Sequence, residues 1–181
     1  MPLKILEPLY KKIDTINGFG PHTTTVFEKL CGFRFLDIIL HLPNSLIKRI
    51  IIKDLQELYL YKKIIIVGKI KNTWTNYKKP KISIVTLEIN KQSLDIIYFN
   101  VNKPWFNKNF IKGHEIIVSG ELNKKGNKWQ IVHPDHVYDK NSNFKIPIYE
   151  TTYPLTSGLT HKKIKKAINE SIIELPNFKE W

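Results

Sequence analysis

The sequence predicts a protein of the α+β class: a helical N-terminal segment, then a small β-barrel, then a C-terminal helix. Three observations predict this architecture. Apolar residues recur at helical spacing up to about residue 60, five short β-branched stretches follow at regular spacing, and a basic stretch with helical periodicity begins near Thr160. We therefore divide the chain into residues 1–60, 61–138 and 139–181.

The first segment contains a turn with two glycines, Gly18 and Gly20, between stretches of helical spacing. The predicted helical stretches are Leu3–Ile13, Thr23–Cys31 and Phe35–His41. Short helices around such a turn resemble a helix-hairpin-helix, in which glycines let the backbone approach a phosphate and helix N-terminal amides bind it. An ordinary turn between packed helices is the alternative, and the sequence leaves both open.

The central segment alternates between extended stretches and turns. The predicted strands are Lys63–Ile70, Lys81–Ile89, Leu94–Phe99, Glu115–Leu122 and Lys128–His133. Gly68 and Gly120 fall inside strands, where they suit bends at the corners of a barrel. The longest connection, residues 100–112, separates the third strand from the fourth. Five strands with this spacing are typical of the OB-fold barrel.

The last segment is predicted to start with a loop at residues 139–145. An extended stretch follows, and then a helix that begins near Thr160, which suits the N-cap position. The basic residues between Lys162 and Lys166 either contact phosphate or form a solvated helix face, and the sequence supports both readings equally.

The charge of the chain is concentrated in the central segment. The net charge is +13, and residues 61–138 carry 14 basic and 5 acidic residues, whereas each flanking segment has a net charge of +2. A high lysine content from AT-rich codon usage would be spread evenly. The concentration therefore indicates an anionic polymer such as nucleic acid as the partner, with a solvated lysine-rich face as the alternative.

Aromatic residues are interleaved with these lysines, a pattern typical of barrels that bind single strands in a basic groove with stacking faces. Trp74, Tyr77 and Trp105 lie in predicted connections, so we expect them to be exposed, while about half of the aromatic residues should be core. The predicted DNA-binding residues are Phe99, Trp105, Tyr98, Trp74, Tyr77, Lys71, Lys78, Lys79, Lys81, Lys103, Lys108, Gly18 and Gly20.

Several other classes of protein are disfavoured. With the single cysteine Cys31, the chain has no intramolecular disulfide framework and no multi-cysteine zinc site. No run of about 18 apolar residues predicts a membrane span, and the N-terminus does not resemble a signal peptide. We expect a cytoplasmic monomer without a cofactor.

Two constellations invite catalytic or metal chemistry. His133, Asp135 and His136 lie close together, but their spacing around Pro134 fits a turn better than a metal site. Cys31 lies at an apolar helix end, which favours a buried structural role over a nucleophilic one. No catalytic residue and no metal site are therefore predicted.

Four stretches together resemble the N-terminal region of the bacterial RecG DNA helicase family. The glycine turn at residues 16–21 and the stretch 35–43 are similar to the family's glycine turn and its D-L-L-x-H-L-P segment. Residues 98–100 with Pro104 and Trp105 resemble F-F-N…P-Y. Residues 132–135 and 153–159 resemble H-P-E and Y-P-x-T-x-G-L. The resemblance covers nearly the whole chain.

This resemblance implies a wedge domain that grips branched DNA and splits its arms while a separate ATPase motor pulls the duplex. The family's aromatic residues that stack on bases at the branch point correspond here to Phe99 and Trp105, with tryptophan in place of tyrosine. The chain has extra residues between Asn100 and Pro104. After its Leu-Pro the family continues with R-Y-E-D-R, and in this chain only the last arginine of that stretch has a counterpart, Arg49.

The sequence contains no P-loop of the form G-x-x-x-x-G-K-[ST], so we do not expect an ATPase or any other enzyme. The predicted function is that of a RecG-like wedge that binds branched or single-stranded DNA in replication, recombination or repair. Motor domains encoded separately are a further partner to consider. The alternatives are a general OB-fold module for single-stranded DNA or RNA, or a non-functional remnant of a split helicase gene.

Overall fold

The computed structural model describes residues 3–175. Its α-helices are α1 Leu3–Leu6, α2 Pro21–Leu30, α3 Phe35–Leu40, α4 Lys103–Asn109 and α5 His161–Ile173, and its 3-10 helices are Glu7–Tyr10, Ile13–Thr15 and Glu57–Tyr59. Its strands are β1 Ser45–Lys48, β2 Ile50–Ile51, β3 Lys63–Asn76, β4 Ile82–Ile89, β5 Gln92–Phe99, β6 Glu115–Glu121, β7 Asn123–Lys125, β8 Lys128–Val132, β9 His136–Asp139 and β10 Tyr149–Thr152.

These elements form two compact units. Of the described residues, those up to Leu46 and those from Thr151 onward form a helical unit, and Ile47–Glu150 form a barrel unit. Residues 47–60, which we assigned to the helical segment, thus belong with the barrel, and the C-terminal helix belongs with the N-terminal helices. Residues 1–2 and 176–181 of the predicted segments lie outside the described residues.

The helical unit differs from the prediction at its start. Instead of one continuous helix from Leu3 to Ile13, a short α1 gives way to a 3-10 helix that has Pro8 in its first turn. Lys12 is extended and forms an isolated bridge with Arg34. Proline cannot donate the backbone hydrogen bond that a helix interior needs, so the periodic apolar residues are carried by several short elements.

The core of the helical unit joins α2, α3 and α5. Its buried residues are Ile13, Ile16, Phe19, Phe27, Phe35, Ile38, Leu159, Ile164, Ala167 and Ile168. The predicted N-cap of α5 is confirmed, because the Thr160 side chain accepts a hydrogen bond from the Lys163 backbone N–H at 3.3 Å. Within residues 3–175, no helix is long and apolar enough to cross a membrane.

The barrel unit contains the five predicted strands as β3, β4, β5, β6 and β8. They are hydrogen-bonded in the order β8-β5-β4-β3-β6, with a parallel pair between β5 and β8 and antiparallel pairs elsewhere. With α4 between the third and fourth of these strands, this is the OB-fold that the sequence predicts. Three short strands extend the sheet: β2 pairs with β3, β7 with β8, and β9 with β6.

The interior of the barrel is filled by the alternating apolar side chains of its strands, including Ile66, Leu87, Ile96, Val118 and Ile131. The ends of the five-strand path approach each other, because a Cβ at Gly120 would overlap the Ile131 side chain. Glycine is therefore needed at this position for β6 and β8 to pack closely.

Two segments of the barrel differ from the prediction. Strand β3 does not end near Ile70 but continues to Asn76, because a bulge between Ile70 and Asn72 lets it stay paired with β4. The connection expected to be a loop contains α4, whose N-cap Asn102 accepts the Trp105 backbone N–H at 3.2 Å. Trp74 therefore lies on a strand and Trp105 on a helix, rather than on loops.

Arg49 forms a buried polar cluster beside the barrel. Its guanidinium donates hydrogen bonds to Ser119 Oγ at 2.9 Å, to the Pro147 carbonyl at 3.1 Å and to the Glu150 carboxylate. Arg49 is 2% exposed. It thus fastens the chain segment at residues 147–150 to strand β6, and its charge is neutralised within the protein.

Candidate nucleic-acid interface

A groove about 860 Å³ in volume lies between the tip of the β3–β4 hairpin and the connection that leads from β5 into α4. Its lining includes Tyr77, Lys79, Lys81, Asn100 and Lys103. The hairpin tip is shaped by Asn76, whose Oδ1 accepts the Lys78 backbone N–H at 3.0 Å. Three predicted binding lysines and Tyr77 thus lie around one groove.

Both walls of the groove carry positive charge. The Lys103 ammonium lies 4.9 Å from the centroid of the Tyr77 ring. A hydrogen bond of 3.0 Å from the Asn100 backbone N–H to the Lys81 carbonyl joins the two walls. Within residues 3–175, Lys79 and Lys81 have no ion-pair partner. Their charges are therefore available to an anionic ligand.

Phe99 and Trp105 expose aromatic rings and lie close in the chain to residues that line this groove. Phe99 ends β5 immediately before Asn100, and Trp105 follows Lys103 by two residues on α4. Their exposed fractions are 42% and 45%. Large aromatic side chains with this exposure, held on a strand end and a helix, have faces on which a base can stack.

Tyr98 is the predicted binding residue that the structure corrects. It is 8% exposed and belongs to the barrel core, and burial raises the pKa of its phenol. Its ring meets Trp105 edge to face, with centroids 5.9 Å apart. Neighbouring residues of a strand face opposite sides of the sheet. Tyr98 therefore contacts Trp105 from the core side, while the Phe99 side chain points to the outer face of the barrel.

His133 is a part of this surface that the sequence suggested as a metal ligand and as part of the H-P-E stretch, but not as a neighbour of Phe99. Its ring lies 5.6 Å from Phe99 and 6.0 Å from Tyr98, and its Nε2 accepts the Phe99 backbone N–H at 3.2 Å. The residue is exposed and has a left-handed backbone conformation, with φ of 46°. The signal that could have placed it next to Phe99 was a histidine at the end of the fifth predicted strand, which pairs with the third in the structure.

The outer face of the sheet carries an apolar row. Trp74 pairs with Ile84, Ile84 with Ile97, and Ile97 with Val132, so the four side chains share one face across four strands. The next row includes Ile82 opposite Phe99. Trp74 is 53% exposed. The row therefore continues the aromatic surface outward from Phe99.

Some predicted residues are not brought together by the fold. Lys71 lies at the bulge in β3, about five residues from the hairpin tip, and its ammonium is 4.0 Å from the Glu88 carboxylate. Lys108 is exposed on the last turn of α4 and lines a second, smaller cavity with Trp105. Both residues are thus outside the groove lined by Lys79, Lys81 and Lys103.

Gly18 and Gly20 lie in the helical unit. Gly18 has a positive φ of 82°, and Gly20 is the N-cap of α2. On the other side of this turn, the Lys166 ammonium donates to the Asn17 carbonyl at 2.6 Å. Because the element before the turn is a 3-10 helix rather than an α-helix, the turn lacks the first helix of a regular helix-hairpin-helix.

The residues considered for metal and cysteine chemistry have other contacts. Asp135 pairs with Lys63 at 3.0 Å, and His136 Nε2 lies 3.2 Å from a Glu150 carboxylate oxygen. Among residues 3–175, no group of three or more His, Cys, Asp or Glu side chains is placed to hold a metal ion. Burial, and to a lesser degree the nearby Asp37 carboxylate, raises the pKa of Cys31 to about 11, which keeps the thiol protonated at neutral pH.

Comparisons with known structures agree with this fold. The structure of RecG bound to a three-way DNA junction superposes with a TM-score of 0.76 at 23% identity, covering 95% of this chain and 24% of the RecG chain. This chain thus spans about a quarter of that protein. Looser matches include the second OB-fold domain of replication protein A from Methanococcus maripaludis, with 14% identity and a TM-score of 0.39 over 53% of this chain and 100% of that chain.

A further loose match is a replication protein A heterotrimer bound to single-stranded DNA, with 10% identity and a TM-score of 0.32 over 64% of this chain and 75% of that chain. No curated protein sequence matches. The model of the RecG wedge domain family matches residues 12–175, which include both the glycine turn and the whole barrel. The chain therefore belongs to the RecG wedge domain family.

Proposed function

We propose that this protein binds branched DNA through the groove and the aromatic surface of its barrel unit, without catalysis of its own. Phe99 and Trp105 stack on unpaired bases at the branch point, and Lys79, Lys81 and Lys103 bind the neighbouring phosphates. The observation that carries the proposal is the exposure of two aromatic rings on residues that adjoin, in the chain, a groove whose lysines have no anionic partner within residues 3–175. The context is replication, recombination or repair.

Stacking and charge have different roles in this proposal. A stacked base contributes about 1–3 kcal/mol and requires an unpaired base, whereas a lysine at a phosphate contributes to every nucleic acid alike. The aromatic residues therefore set the preference for branched over continuous duplex DNA. The lysines, including Lys78 at the hairpin tip and Lys108 on α4, set the overall affinity and its dependence on salt.

Trp74 and Tyr77 extend the same interface. Trp74 begins the apolar row that runs over β4 and β5 to Val132, and Tyr77 lies under the Lys103 ammonium at the groove. An unpaired strand leaving the branch point crosses this row, and Trp74 provides a second stacking face. Lys71, three residues before Trp74 on β3, makes a weaker phosphate contact because Glu88 competes for its charge.

The glycine turn of the helical unit is a second proposed backbone contact. Gly18 and Gly20 carry no side chain over the start of α2, and no heavy atom lies within 4 Å of where their Cβ atoms would be. Lys163 and Lys166 of α5 reach the same turn, through Thr23 Oγ1 at 3.4 Å and the Asn17 carbonyl. A phosphate at this turn would meet backbone amides and ammonium groups together.

The second candidate function is a general module for single-stranded DNA or RNA. The observation that favours it is the apolar row with Trp74, which offers a stacking face away from the branch point. In both functions ATP hydrolysis would have to come from residues outside this sequence, since the 181 residues contain no P-loop. Separately encoded motor domains would be the corresponding partner, and a remnant of a split helicase gene would show no binding at all.

The two functions are separated by fluorescence anisotropy of the purified protein with a labelled fork, a duplex of the same length and its single strand. Branch binding predicts the order fork, single strand, duplex in affinity, with the fork preference retained when salt is raised. Equal affinity for the fork and the single strand would support the general module. Equal affinity for all three would show that charge alone is responsible, and would contradict both.

A further inference from the structure

We propose that His133 is a positioning residue of the branch-point surface, which holds Phe99 in its stacking orientation through an acceptor that exists only while the imidazole is neutral. The inference deepens the proposed function and rests on it. The His133 ring, to which neither the H-P-E resemblance nor the aromatic pattern gives a role, is exposed between Phe99 and Tyr98, with ring centroids 5.6 and 6.0 Å away.

The backbone of His133 indicates that this position is imposed by its surroundings. Its φ of 46° is in the left-handed region, which is uncommon for residues other than glycine, and such conformations persist only where neighbouring contacts hold them. The His133 backbone N–H donates to the Ile97 carbonyl at 2.9 Å. Two residues on, the Asp135 backbone N–H donates to the Ser119 carbonyl at 2.8 Å.

The buried Arg49 cluster fixes the far end of the same turn. Asp135 pairs with Lys63 at 3.0 Å and lies 3.8 Å from the Arg49 guanidinium, while His136 contacts the Glu150 carboxylate that Arg49 also binds. The turn of residues 133–136 is thus anchored on both sides. His133 is presented to Phe99 by a rigid support rather than by a loop that can move with it.

The hydrogen bond between Phe99 and His133 fixes which form of the imidazole is required. A backbone N–H can only donate, so the His133 Nε2 must provide a lone pair, and the neutral ring carries its proton on Nδ1. Protonation places a second N–H on Nε2, opposite the N–H of Phe99. The hydrogen bond is then lost, and the ring turns away from Phe99.

The charged groups around His133 do not provide a substitute acceptor for that proton. On the turn, Asp135 is engaged by Lys63 and Arg49, and His136 is engaged by Glu150. From β5 the titratable neighbour is Tyr98, which is buried and neutral. Protonation of the ring in mild acid is therefore expected to release Phe99.

The test is the ratio of fork affinity to duplex affinity, measured by anisotropy at about pH 7.5 and about pH 5.5, within the histidine range. Added positive charge on any histidine strengthens binding to both the fork and the duplex, so the ratio of the two affinities reports on the stacking surface alone. In the wild-type protein the ratio falls about 5-fold or more on acidification, the lower bound for one lost base stack. The His133→Gln variant places an amide acceptor at the position of Nε2 and keeps it at every pH, so its ratio stays constant.

The matched control is His114→Gln, which removes another exposed histidine of the barrel unit and leaves the acid response of the ratio as in wild type. His133→Ala lowers the ratio at both pH values, and circular dichroism establishes that it is folded. A wild-type ratio that does not change with pH, or one that falls equally in His133→Gln, overturns the role of His133. A wild-type protein without fork preference at about pH 7.5 overturns the proposed function instead.

Discussion

The barrel unit uses its cationic side chains in two different ways, at Arg49 and at the hairpin groove. Arg49 is buried, and its guanidinium is hydrogen-bonded to Ser119, Pro147 and Glu150. Lys79 and Lys81 line an open groove and have no ion-pair partner within residues 3–175. From the sequence alone, Arg49, Lys79 and Lys81 are equivalent, since each is a basic residue in or near a basic segment.

The partners of a cation, rather than its charge, determine its role in this unit. A buried guanidinium that is hydrogen-bonded by the protein is part of the fold, because removing it leaves a carboxylate buried without its counter-charge. A lysine without a protein partner contributes little to stability but can neutralise a phosphate. Net charge alone therefore overstates how many basic residues belong to the interface.

The largest expected effect follows from replacing Arg49. Arg49→Ala removes the buried guanidinium that donates to the Glu150 carboxylate, the Ser119 hydroxyl and the Pro147 carbonyl, and we expect a loss of about 3–5 kcal/mol in the free energy of unfolding. Urea denaturation measures the loss. Lys79→Ala is the matched control and should change stability by no more than about 0.5 kcal/mol. Equal stability of the two variants would remove the distinction between the two kinds of cation.

Replacing Trp105 should affect binding rather than stability. Trp105→Ala removes a stacking face worth about 1–3 kcal/mol, so fork affinity should fall roughly 5- to 150-fold while duplex affinity barely changes. Titration of labelled fork and duplex DNA measures both. Tyr61→Asn, which removes another exposed aromatic residue of the unit, is the control and should leave both affinities unchanged. A parallel loss on fork and duplex would point to charge or misfolding instead of stacking.

A smaller effect is expected from the lysines of the hairpin tip. Replacing Lys78, Lys79 and Lys81 together by alanine should flatten the plot of log K against log salt, by about 0.9 per lost phosphate contact on duplex and about 0.7 on a single strand. The control triple variant replaces Lys48, Lys53 and Lys62, which are exposed outside the groove. The hairpin tip is not the binding face if both triple variants have the same slope.

The sequence was sufficient for the elements that depend on local pattern. The five barrel strands follow from alternation and turn residues, and the Thr160 cap follows from its side-chain oxygen. Local pattern does not show which of Tyr98 and Phe99 is buried. Adjacent residues face opposite sides of a strand, and only the packing of the barrel decides which of the two side chains lies in the core.

Other features depend on contacts between distant parts of the chain. The burial of Arg49 requires Ser119 and Glu150, which are 70 and 101 residues away. The bulge that keeps Trp74 in β3 shows only in the pairing with β4, and the place of His133 beside Phe99 depends on the parallel pair of β5 and β8. Such contacts leave no periodic signal in the sequence.

The central claim is that stacking by Phe99 and Trp105, rather than positive charge, gives the preference for branched DNA. The most direct test is the fork-to-duplex affinity ratio of the Phe99→Ala, Trp105→Ala double variant, with folding checked by circular dichroism. We predict that the folded variant retains duplex binding and loses its preference for the fork. A folded double variant that still prefers the fork as strongly as the wild-type protein would contradict the claim.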